Sequence, residues 1–169
     1  MACRFCDIDF RGTDGFLRGR FDSPSALAEH IRTTRAAEAR GSRPYVVFTG
    51  GEPLLQLDGP LVAACKALGF EVAIETNGTR PAPAGGDGAC VIPKPCSNLV
   101  VRMGNELKLV FPQPDLSRED SESLRFEHFL LQPTDGPERE GNTTRAVTWC
   151  RSNPSWRLSL QTHKFLGIL

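Results

Sequence analysis

The sequence lacks a surplus of charge of either sign: twenty Lys and Arg side chains are balanced by twenty Asp and Glu. That balance argues against a polybasic grip on nucleic-acid phosphates or on an anionic bilayer. Long apolar runs are missing too. None approaches the roughly 20 residues that a bilayer-crossing helix needs, and residues 1–11 show no apolar stretch of the signal-peptide kind. The cytoplasm is the expected compartment, and thiols stay reduced there. Six cysteines among 169 residues then do not read as a disulfide scaffold, and the sequons at Asn77 and Asn142 carry no glycan. Repeats, low-complexity tails and long linkers are also absent. The length suits one core, so residues 1–169 are expected to form a single domain.

What is present alternates. Short β-branched and aromatic runs at 45–48, 72–74, 90–92, 107–111, 128–131 and 158–160 read as buried strands. Helix signals fall between several of them. Asp22-Ser23-Pro24 caps a helix whose Leu27, Ala28 and Ile31 lie at helical spacing. Leu61, Val62, Cys65 and Leu68 form a second stripe ended by Gly69, and Ala146, Val147 and Cys150 a third that ends near Pro154. Strands alternating with helices predict an α/β fold with parallel pairing through right-handed crossovers. A partly closed α/β barrel fits as well as an open sheet, and in barrels active sites form at the carboxyl ends of the strands. Those ends read Thr49-Gly50-Gly51-Glu52-Pro53, Glu75-Thr76-Asn77-Gly78, Pro93-Lys94-Pro95 and Gln132-Pro133-Thr134-Asp135-Gly136. Turn chemistry alone explains one or two such ends; four of them on one rim read as a binding site. Residues 81–88 form a Pro/Gly/Ala loop on the surface.

Two motifs carry chemistry. Cys3-Arg4-Phe5-Cys6 by itself fits half a zinc site, a redox pair or a pair of iron–sulfur ligands. Cys90 and Cys96 are poorly spaced to complete a zinc site and read as structural or incidental. Cys65 and Cys150 lie on apolar helix faces and read as packing. In Thr49-Gly50-Gly51-Glu52-Pro53, two glycines at a strand end let a ligand press on bare backbone. Without a ligand the same residues read as a tight turn leading into a helix.

Taken together, the cysteine pair beside an aromatic residue and the G-G-E-P after a strand resemble the radical S-adenosylmethionine (SAM) superfamily. There three cysteines hold three irons of a [4Fe-4S] cluster and SAM chelates the fourth. Within it the whole chain resembles the 7-carboxy-7-deazaguanine synthase family. Its markers are Cys3-Arg4-Phe5-Cys6-Asp7, Asp14-Gly15, Thr49-Gly50-Gly51-Glu52-Pro53-Leu54, Glu75-Thr76-Asn77-Gly78-Thr79, Glu106-Leu107-Lys108, Gln132-Pro133 and Gln161-Thr162-His163-Lys164. The last motif separates this family from other radical SAM enzymes.

The resemblance implies an incomplete TIM-like barrel and a carbon–nitrogen lyase. The enzyme would contract 6-carboxy-5,6,7,8-tetrahydropterin to 7-carboxy-7-deazaguanine with loss of ammonia, on the route to queuosine. It further implies a homodimer, Mg²⁺, a flavodoxin-like or other electron donor, and no direct nucleic-acid or membrane partner. Cys3 and Cys6 would be cluster ligands, and Phe5, Cys6 and Asp7 would help place the cofactors. Gly51 would hold the SAM methionine, with Ile92, Pro93 and Lys94 lining SAM and Gln132, Pro133, Thr134 and Asp135 at its ribose or adenine. Thr49, His163 and the terminal carboxylate of Leu169 would reach the pterin, and Glu75 would face it as the catalytic carboxylate.

The chain departs from the family in three places. Ile92 stands where the family has a serine, and Ile8 where a threonine ligates Mg²⁺; isoleucine offers no oxygen to a hard cation, which leaves Asp7 or Asp9. The family's upstream strand, with a substrate arginine and the first cluster cysteine, does not precede Met1. The expectation is an N-terminally truncated domain without its first strand, unable from Met1 to hold the cluster or cleave SAM. Rival readings are another radical SAM enzyme such as a glycyl-radical activase, a non-catalytic remnant, and a zinc module.

Overall fold

The computed structural model describes residues 19–34, 42–95, 97–113 and 124–168. The expectations for Cys3, Phe5, Cys6, Asp7, Ile8, Asp9, Cys96 and Leu169 lie outside them. The described residues pack as two compact units, the first holding residues 19–34, 42–76 and 80–89, the second residues 77–79, 90–95, 97–113 and 124–168.

In the first unit, helix α1 (Pro24–Thr34) starts where the cap signal predicts. Ser23 Oγ accepts the Ala26 amide at 3.1 Å, and Pro24 occupies the first turn, where a missing N–H is harmless. Ala28 is its fully buried residue, and the helix packs on α2 (Gly59–Ala67). The Asp58 carboxylate caps α2 through the Leu61 amide at 2.9 Å. Leu61, Val62 and Cys65 face inward, as the spacing predicts. Strand β1 (Tyr45–Phe48) pairs in parallel with β2 (Glu71–Thr76), setting Tyr45 opposite Glu71 and Phe48 opposite Ile74. The 81–88 loop is mostly exposed but tied down at its end. Asp87 accepts the Val72 amide at 2.8 Å and the Lys66 ammonium at 2.5 Å.

In the second unit, Cys90 and Val91 of β3 (Gly88–Val91) pair with Glu106 and Leu107 of β4 (Met103–Phe111). Strand β4 pairs along its length with β5 (Arg125–Pro133), and β5 with β6 (Trp156–Leu158). These pairings are all parallel, as is that of β1 with β2. Helix α3 (Arg139–Ser152) packs on β5 and β6, and a short α4 (Thr162–Leu166) follows. The core gathers Val91, Leu107, Leu109, Phe126, Leu131, Ala146 and Trp156.

Two local readings shift. Strand β6 lies two residues before the expected 158–160, because Trp156 is buried and its ring contacts Phe129, the residue it pairs with, at 5.4 Å between centroids. On α3 the inward residues are Asn142 and Ala146, four apart and so on one face, while Val147 turns outward at 36% exposure. Among the described residues no helix is long and apolar enough to cross a membrane.

Candidate active site

The parallel register of β1 and β2 builds the first cluster of candidate residues. Phe48 stands opposite Ile74, so Thr49 and Glu75 leave neighbouring strand ends on the same face. There the Thr49 hydroxyl donates to Glu75 Oε2 at 3.3 Å. One residue on, the buried Thr76 hydroxyl donates to Glu52 Oε1 at 2.6 Å, and the same oxygen accepts the Leu54 amide at 3.0 Å. Glu52 thus caps the 3₁₀ turn Pro53–Leu55, whose first residue is a proline with no amide to satisfy. One oxygen of the carboxylate at the centre of G-G-E-P, Oε1, is thus engaged twice inside the protein. Beside it Gly50 has φ +120°, and a Cβ built on it would meet nothing within 4 Å. Gly51 follows it, exposed, on the same turn.

A second cluster belongs to the second unit. Ile92, Pro93 and Lys94 follow β3; the Pro93 carbonyl accepts Gln113 Nε2 at 3.1 Å, and the Lys94 carbonyl accepts the Ser97 hydroxyl at 2.7 Å. Gln132 and Pro133 end β5 opposite Val110 and Phe111. Thr134 turns back, donating its amide at 2.7 Å and its hydroxyl at 2.8 Å to the Phe111 carbonyl. Asp135 pairs with Lys164 at 3.0 Å, and Arg139 stands 3.8 Å away. The hydrogen bond from Lys164, then that from the Gly136 amide, hold the Asp135 carboxyl below the usual aspartate range. His163 is exposed at the start of α4, and its carbonyl accepts the Ile168 amide at 2.9 Å. Asn77 and Gly78 prove to be turn-makers. Asn77 Oδ1 accepts the Thr79 amide at 2.9 Å, and the Gly78 carbonyl takes the Val100 and Val101 amides.

Thr49, Gly51 and Glu75 therefore share one cluster, and Gln132 to Asp135 another with Lys164 beside it. Sequence reasoning missed Asn142, which is buried and donates Nδ2 to the Thr134 carbonyl at 3.3 Å, and Thr76 as the partner of Glu52. The one local signal was a polar residue in the apolar stripe of α3. Among the described residues Cys65 and Cys90 are buried and in no disulfide, and burial pushes the Cys65 thiol pKa up. Among the described residues no three His, Cys, Asp or Glu side chains converge on a metal-sized site; Cys3 and Cys6 lie outside those residues.

Residues 1–87 match the family described as the radical SAM superfamily. A 7-carboxy-7-deazaguanine synthase of Bordetella pertussis is 56% identical over 170 residues, spanning 99% of this chain and 79% of that one. Its counterpart from Bradyrhizobium diazoefficiens is 55% identical over 167 residues with the same coverage. The crystal structure of QueE from Escherichia coli superposes with a TM-score of 0.56 at 25% identity, over 79% of this chain and 63% of that one.

Proposed function

Because the chain belongs to the 7-carboxy-7-deazaguanine synthase family of the radical SAM superfamily, we propose that residues of these clusters bind SAM and a carboxylated tetrahydropterin. The reaction is the radical ring contraction of 6-carboxy-5,6,7,8-tetrahydropterin to 7-carboxy-7-deazaguanine, with ammonia leaving. The observation that carries the site reading is the use of Glu52 Oε1 as an internal clamp beside Gly50, at whose Cβ position nothing lies within 4 Å. That fits SAM: a turn without side chains lets the amino-acid end of a ligand reach main-chain groups directly.

When bound, the reduced [4Fe-4S] cluster supplies the electron that cleaves SAM and so starts hydrogen abstraction. The chain's own residues have the tasks of placing and shielding. Cys3 and Cys6 are proposed as cluster thiolates, with Phe5 and Asp7 beside them. Gly51 holds the methionine end of SAM; Ile92, Pro93 and Lys94 line it, and Gln132, Pro133, Thr134 and Asp135 meet its ribose or adenine. Thr49 and Glu75 form a hydrogen-bonded pair suited to a polar edge of the pterin, with Glu75 the catalytic carboxylate. His163 and the Leu169 carboxylate complete the pterin contacts. Asp7 or Asp9 would ligate Mg²⁺ where Ile8 stands. A cytoplasmic homodimer served by a small redox donor is part of the same reading.

The test is anaerobic reconstitution of the full gene product, followed by iron and sulfide counting and an assay with the carboxylated pterin, SAM and a reductant. The expected result is a [4Fe-4S] cluster, 5′-deoxyadenosine and 7-carboxy-7-deazaguanine, with the cluster lost in Cys3→Ala and in Cys6→Ala. Cleavage of SAM without the deazapurine would refute the substrate reading.

A further inference from the structure

We propose that Asn142 is a positioning residue for segment 132–135 and, through it, for bound SAM; the SAM clause rests on the reading just given. Four residues of the second unit close a circuit behind that segment. The Phe111 carbonyl accepts both the amide and the hydroxyl of Thr134, at 2.7 and 2.8 Å. The Thr134 carbonyl accepts Asn142 Nδ2 at 3.3 Å. Asn142 Oδ1 accepts Arg145 Nη2 at 2.6 Å, and the Arg145 guanidinium lies 5.9 Å from the centre of the Phe111 ring. The circuit therefore returns to the residue where it began.

The chemistry of the partners fixes the orientation of the amide. Arginine only donates and a carbonyl only accepts, so the Asn142 oxygen must face Arg145 and its nitrogen must face Thr134. Asn142 is 4% exposed, in a position where α3 otherwise turns apolar residues inward, as Ala146 does one turn on. A buried amide on a helix face is unfavourable unless both of its ends are satisfied, and here they are. Its donor end holds Thr134, between Pro133 at the end of β5 and the exposed Asp135. The Thr134 hydroxyl and amide are already committed to Phe111. The segment is thus held on both peptide faces of one residue, and the neighbouring Gln132 and Asp135 side chains inherit that placement. A ligand meeting the segment finds it already ordered, which lowers the ordering cost of binding.

Asn142→Asp tests this. The variant keeps size and an oxygen for Arg145, but sets an acceptor against the Thr134 carbonyl. With the reconstituted full gene product, amide hydrogen exchange is measured across 132–136 without ligand. SAM affinity is measured by equilibrium dialysis, and KM for SAM is separated from kcat. Exchange is expected to quicken and the Kd and KM for SAM to rise about tenfold, with kcat at saturation within about twofold. Arg145→Met, at an exposed position, frees the amide without burying a new charge and is expected to raise the Kd about threefold. Wild-type exchange and affinity in Asn142→Asp would overturn the proposal; if that variant does not fold, the same result in Arg145→Met overturns it. Failure of the unmutated protein to bind SAM would instead overturn the preceding reading, while the exchange measurement still judges the hold of Asn142 on the segment.

Discussion

Glu52 and Thr76 are joined across the ends of two parallel strands: the Thr76 hydroxyl, 3% exposed, donates to Glu52 Oε1 at 2.6 Å. Since the same oxygen accepts the Leu54 amide, one carboxylate fixes both the end of β2 and the start of the 3₁₀ turn. Thr76→Val, which keeps shape and removes the donor, is expected to lower stability by about 1–2 kcal/mol. Glu52→Gln retains an acceptor oxygen and should lose less. Urea midpoints at an unchanged m-value check both, and equal midpoints for wild type and Thr76→Val would show that the bond contributes nothing.

Gly78 combines two constraints. Its φ is +73°, and an added Cβ would lie 2.6 Å from Leu99 Cδ1 and 2.8 Å from Val91 Cγ1. Backbone strain and overpacking then add, and Gly78→Ala is expected to cost about 2–4 kcal/mol. Gly69 has φ +83° but nothing near the Cβ position, so Gly69→Ala should cost only about 1–2 kcal/mol. Chemical denaturation of the two variants side by side separates the steric share from the conformational one.

The Thr49–Glu75 pair predicts a division of kinetic effects. Glu75→Gln keeps the acceptor for Thr49 and removes the charge, so it is expected to lower kcat for the carboxylated pterin about 10- to 100-fold, the worth of one charge-assisted contact. Thr49→Val should chiefly raise KM for the pterin. Steady-state assays with saturating SAM decide; a Glu75→Gln enzyme of full activity would remove Glu75 from the chemistry.

Asp135 and Asp87 set a low-pH dependence. Asp135 is held below the usual aspartate range by Lys164 and the Gly136 amide, Asp87 by Lys66 and the Val72 amide. A depressed folded-state pKa contributes stability that is fully present above the unfolded-state value, about 3.9, and is lost as pH falls through the folded value. Stability should therefore be flat near neutrality and decline in the acid range below ordinary aspartate titration. Carboxyl NMR titration of Lys164→Met should show Asp135 moving up toward the ordinary value with Asp87 unmoved. Joint movement would mean that the causes are shared.

The sequence by itself determined the strand–helix alternation, the cap at Ser23 and the inward face of α2, because each depends on residues at most a few positions apart. It also carried the motifs that place the chain in its family, since C-x-x-C and G-G-E-P are local strings. The tertiary structure alone decided which polar groups meet. Glu52 reaches Thr76 24 residues on, Thr49 reaches Glu75 26 residues on, and the Thr134 hydroxyl reaches the Phe111 carbonyl 23 residues back. No periodicity encodes such pairings; they follow from strand register. The same holds for β6, where burial of Trp156 against Phe129 outweighed the apolar run that begins at Leu158. On α3, periodicity marked a stripe, but the stripe admitted Asn142 and turned Val147 outward. The sequence marks a polar residue there, but only the fold supplies Thr134 and Arg145 to satisfy both ends of its amide.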